Sequence, residues 1–127
     1  MLFSKNRKSN VPKQGFESEI IGNVLVIRLQ GNLVGIDAFD KFKEFIIANL
    51  EKNIKNFVIN LADINYISSI GLGMLIEALT KIKNSSGIMY LCHIDKAEPI
   101  LRTTRLINVF QYTDNEENAI KIIHKSF

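Results

Sequence analysis

The chain has 127 residues, 46% of them hydrophobic and 23% charged, with a mean hydropathy of +0.08; this suits one folded domain and excludes disordered or collagen-like chains. No apolar run approaches the roughly 20 residues that span a bilayer, and a single cysteine, Cys92, excludes an internal disulfide and a cysteine-rich metal centre. The formal charge of +3 is no sign of direct nucleic-acid binding, because Lys5, Arg7, Lys8 and Lys13 all stand in the first fourteen residues, and beyond them twelve basic residues face thirteen acidic ones.

Residues 1–14 read as a flexible basic tail without a secretory signal, and 15–127 as the folded domain, with a reducing cytoplasm as the expected setting. A short strand is predicted from Phe16 to about Asn23. Val24 to Leu29 forms a second, closed by the turn-prone Gln30-Gly31-Asn32, and the two read as a hairpin. Between Val34 and Asn53, Phe39, Phe42, Ile46 and Leu50 recur at helical spacing, with Asp37 near the cap. Phe57 to Leu61 is a β-branched run too short for a helix, the pattern of a central strand buried on both faces.

After a double-serine turn, Leu72, Leu75, Ile76, Leu79 and Ile82 mark another helix, ended by Asn84-Ser85-Ser86-Gly87. Ile88 to Cys92 is a strand, about Ala97 to Leu106 a helix, Val109 to Tyr112 a short strand and Glu116 to His124 a last helix. The order is β-β-α-β-α-β-α-β-α. It predicts an α/β fold with a mixed, mainly parallel sheet of four to five strands and four helices.

Chemistry concentrates in Ile67-Ser68-Ser69-Ile70-Gly71-Leu72-Gly73, a turn between a buried strand and a helix. Either serine can cap the helix, whose free N–H groups also favour a phosphate. A cap needs only one serine. Gly71 and Gly73 each cost up to about 1 kcal/mol in a helix relative to alanine, and close approach by another molecule is one reason to keep them bare.

The run Asn60-Leu61-Ala62-Asp63-Ile64-Asn65-Tyr66-Ile67-Ser68-Ser69-Ile70-Gly71-Leu72-Gly73 resembles the signature of STAS-domain proteins, specifically bacterial anti-sigma factor antagonists, and Gly31-Asn32-Leu33 resembles that family's Gly-x-Leu loop. The resemblance implies a non-enzymatic switch without a cofactor. Its acceptor is Ser69, with Ser68 the second choice, and its partner surface is Asn32, Leu33, Val34, Ser68, Ile70, Gly71 and Leu72. The implied partners are a serine kinase of the histidine-kinase-like ATPase type, itself the anti-sigma factor, and a PP2C-type phosphatase. The alternative is a STAS scaffold or accessory subunit of a signalling or lipid-transport complex, in which Ser69 caps a helix. Ser68, Ile70 and Val34 depart from the commonest family pattern, so they bear on partner choice.

Other candidates are weaker. Asp63 follows the central strand but lacks the acidic pair of a receiver domain, and His93 and His124 lack zinc-ligand spacing. Gly71-x-Gly73 lacks the third glycine and lysine of a nucleotide loop. Tyr66 and Phe110 read as core or rim aromatics, and Cys92 as an inert buried thiol.

Overall fold

Strand and helix patterns alternate along this chain, and the folded order is β1 (Gly15–Ile21), β2 (Val24–Leu33), α1 (Ile36–Glu51), β3 (Asn56–Ile67), α2 (Ser69–Asn84), β4 (Ile88–Cys92), α3 (Glu98–Thr103), β5 (Gln111–Thr113) and α4 (Glu116–His124). The structure, a computed structural model, describes residues 15–33 and 36–126, but not the side chains of 33 and 36–39. The basic segment 1–14, Val34, and the side chains of Leu33, Asp37 and Phe39 lie outside the described residues.

The five strands lie in sequence order. β1 and β2 form the antiparallel hairpin, with Ile21 opposite Val24, and the remaining neighbours are parallel. The hairpin turn is Gly22-Asn23, and Gly22 takes φ +64°, which glycine adopts without strain.

Alternation in the strands supplies two apolar faces. Ile27, Leu29, Ile59, Leu61 and Leu91 belong to a large core with Phe42, Ile46, Leu75, Leu79 and Leu101 of the first three helices. Val24, Val26, Val58 and Cys92 pack on the other face with Ala119 and Ile123 of α4. β3 is therefore central, as its apolar run predicts. Phe16 anchors the hairpin to α1, with ring centroids 6.1 Å from Phe42 and 5.0 Å from Phe45.

Two strands run further than expected. Gln30-Gly31-Asn32 is not a turn but the end of β2, and β3 continues past Leu61 to Ile67, because the two pair along their whole length. The pairing steps from Arg28–Asn60 to Gln30–Asp63 and from Gly31–Ile64 to Asn32–Tyr66, so β3 carries two additional residues. Such bulges absorb turn-prone residues within a ladder. The Asn60 carboxamide oxygen accepts the Ala62 N–H at 2.8 Å, which satisfies the backbone at the first bulge.

The first three helices end alike. Ile54, Gly87 and Leu106 donate to the carbonyls of Asn49, Ile82 and Leu101, five residues earlier, while Asn53, Ser86 and Arg105 take left-handed φ of 68°, 63° and 64°. This is the Schellman closure. It stops α3 at Thr103 rather than at Leu106, and β5 begins at Gln111, two residues later than expected.

α4 is fastened by charge. The Asn115 side chain caps it at 2.8 Å from the Asn118 nitrogen, and first-turn Glu116 accepts from Arg28 Nε at 2.7 Å and Asn60 Nδ2 at 2.6 Å. Arg28, through its hydrogen bonds, holds the Glu116 carboxyl below its ordinary value of 4.5, against burial and with help from Asn60. Beside it, burial pushes the Cys92 thiol from 9.0 up to about 12, as an inert buried cysteine requires.

Candidate functional site

The bulges in β3 set which way its last residues face. Past the first bulge Ile64 and Ile67 turn into the core, while Asp63, Asn65 and Tyr66 stay exposed. Tyr66, expected in the core or at its rim, is 58% exposed, whereas Phe110 is buried.

Ser68 is the helix N-cap. Its backbone is extended, at φ −92° and ψ 175°, and its hydroxyl accepts the Gly71 N–H at 3.2 Å while its carbonyl accepts the Leu72 N–H at 2.9 Å. Ser69 is thereby relieved of capping and stands exposed at the first helical position. α2 has no acidic side chain in its first turn, so the positive end of its dipole is left for any negative charge placed on Ser69.

Of the remaining expected contact residues, Asn32 pairs with Tyr66 and Leu33 with Ile67 in the parallel ladder, which puts the end of β2 beside the double serine. Val34 follows outside the described residues. Ile70 is 51% exposed. Leu72 is 2% exposed and belongs to the core, where burying a leucine contributes about 1.5–3 kcal/mol. Gly71 is buried as well. Both lie beneath the turn, whereas the exposed Tyr66 stands just before the double serine.

A groove of about 360 Å³ between α1 and α2 adjoins this surface, with Ile70 in its wall and the apolar Phe42, Ile46 and Met74 in its lining. Lys43 Nζ meets Glu77 Oε2 across it at 3.0 Å. Gly73 also lines it, and a Cβ there would meet nothing within 4 Å.

Sequence reasoning missed the Arg28–Glu116–Asn60 network, whose signals were an arginine within an apolar strand and an acid opening the last helix. His124 Nε2 lies 3.1 Å from Asn23 Oδ1, joining α4 to the hairpin turn. Among the described residues no helix is long and apolar enough to cross a membrane, and no group of three His, Cys, Asp or Glu is placed to hold a metal ion.

The profile of the STAS domain matches residues 16–119. The chain belongs to the STAS domain family. Among solved structures, a candidate anti-sigma factor antagonist from Thermotoga maritima is 24% identical with a TM-score of 0.75, over 86% of this chain and 94% of that one. RsbS from Moorella thermoacetica gives 16% identity and a TM-score of 0.74, over 87% and 95%. The Bacillus cell-fate determinant SpoIIAA in its phosphorylated form gives 18% and 0.67, over 85% and 98%. At these identities the likeness is one of fold.

Proposed function

We propose that this STAS domain is an anti-sigma factor antagonist, a binding protein controlled by phosphorylation of Ser69. In its unmodified state it holds a kinase-type anti-sigma factor of the histidine-kinase-like ATPase type through Asn32, Leu33 and Val34 and through Tyr66, Ser68 and Ile70. That kinase modifies Ser69 and is released, and a PP2C-type phosphatase restores the binding state. The observation that carries this reading is the division of labour between the serines: Ser68 caps α2, while Ser69, the first helical residue, is exposed. The fold supports it, because SpoIIAA, of the same architecture, exists in unphosphorylated and phosphorylated forms.

The chemistry asks little of this chain. The kinase brings ATP and its base, and the substrate need only present a hydroxyl in line. A phosphate adds about −1.5 to −2 charges at neutral pH, which the N-terminus of α2 accommodates. The same charge beside exposed Tyr66 and Ile70 opposes any apolar partner surface, so binding is lost while the fold persists.

The test is to incubate the protein with ATP and lysate of its own source cells, then map phosphate by mass spectrometry. Phosphate on Ser69 in the wild type and none in Ser69→Ala is expected, and Ser69→Asp should stay folded but fail to bind the kinase. An unmodified Ser69 would instead favour a scaffold or accessory subunit in which this surface packs a constant partner.

A further inference from the structure

Gly73 has no explanation within the domain. It sits at an ordinary right-handed position inside α2, where glycine is a poor helix former, and a side chain there would enter open space. Gly87 makes the contrast, since a Cβ at that position would lie 2.8 Å from Ile82 Cγ2. Gly87 is kept bare by its own neighbours and Gly73 is not.

The open space belongs to the groove between α1 and α2. Ile70, Gly73 and Glu77 follow one another at helical spacing along its α2 wall, and Ile70 is at once a wall of the groove and the neighbour of Ser69. The groove and the phosphoacceptor surface are therefore continuous. Its lining combines the apolar Phe42, Ile46 and Met74 with two acids, Asp40 and Glu77, and two bases, Lys43 and Lys81; Lys43 pairs with Glu77, so the charges balance and a protein side chain of apolar character suits the groove better than an anion.

We infer that Gly73 is a contact position for the protein that acts on Ser69: that partner seats an apolar side chain in the groove, close against the bare backbone of α2. This rests on the reading of Ser69 as phosphoacceptor and adds to it a specificity determinant one turn along the helix. Helix stability and partner recognition then pull in opposite directions at this one residue.

The experiment uses that opposition. Gly73→Ala and the larger Gly73→Gln, both better helix formers, are compared with wild type in melting temperature and in the initial rate of Ser69 phosphorylation by source-cell lysate with ATP. Gly73→Ala should melt about 3–5 °C higher. Its phosphorylation rate should fall about tenfold, and that of Gly73→Gln further, since a buried interface position cannot accept added volume. Equal rates in wild type and both variants overturn the inference while leaving Ser69 as acceptor. An unmodified wild type overturns both. If either variant alters oligomeric state by light scattering, the groove receives a second copy of this chain and the assignment to the Ser69 partner is wrong.

Discussion

Two adjacent serines with the same side chain have different physical jobs, and the backbone decides which does which. Ser68 is extended and its hydroxyl reaches the Gly71 N–H, so it closes the helix; Ser69 is already helical, and it is exposed. Removing the cap in Ser68→Ala should cost about 1 kcal/mol, within the range found for lost serine caps, and leave Ser69 modifiable. Ser69→Ala should change stability by less than about 0.5 kcal/mol, as exposed substitutions do, and abolish modification. Urea unfolding of the two variants beside phosphate mapping checks this. A larger loss of stability in Ser69→Ala than in Ser68→Ala would mean that the roles are exchanged.

Helix ends show how an element can be misread from its letters. In Asn84-Ser85-Ser86-Gly87 the glycine is the obvious candidate for the left-handed position, yet Ser86 occupies it at φ 63°. Gly87 is instead pressed against Ile82 and the Lys55 carbonyl. Opposite effects are expected from neighbouring substitutions. Ser86→Gly should stabilise by up to about 1 kcal/mol by relieving a strained non-glycine residue, and Gly87→Ala should destabilise by about 1–3 kcal/mol through overpacking. Thermal melts of both variants decide it, and a neutral Gly87→Ala would show that the α2–β4 corner yields. The same locality governs what was legible in advance. β4 and α4 have the boundaries their patterns predict, since apolar periodicity and flanking turn residues agree there. Gln30-Gly31-Asn32 looked like a turn because its pairing with β3 is tertiary, and α3 looked longer because nothing in Arg105 announces a left-handed residue. The Ser69 turn itself was legible in its letters. Tyr66 was not, because its exposure depends on a bulge produced by strand pairing.

At the scale of the molecule, one sheet carries two cores. The larger face is closed by three helices. Among the described residues the smaller is closed by α4 alone, and its polar edge joins Arg28 on β2, Asn60 on β3 and Glu116 on α4. That edge and Cys92 beneath it give stability a distinct pH profile. The Glu116 pKa is lowered in the folded state, chiefly by its hydrogen bonds with Arg28, so its contribution is complete above the ordinary value of 4.5 and is lost as pH falls through the folded value. The Cys92 pKa is raised by burial, so the unfolded chain releases that proton from about 9.0 while the folded one keeps it to about 12, and stability declines across that window. Glu116→Gln should cost about 1–2 kcal/mol at neutral pH through weakened charge-assisted bonds. Its deficit should shrink in acid, where wild type loses the same contribution. Cys92→Ala should start from a cavity deficit that narrows above pH 9, because only wild type then pays up to about 1.4 kcal/mol per pH unit. Urea midpoints from pH 3 to 11 would test both. Curves that stay parallel to wild type would mean that neither the clamp nor the thiol sets the limits of stability, and that α4 is held chiefly by the packing of Ala119 and Ile123.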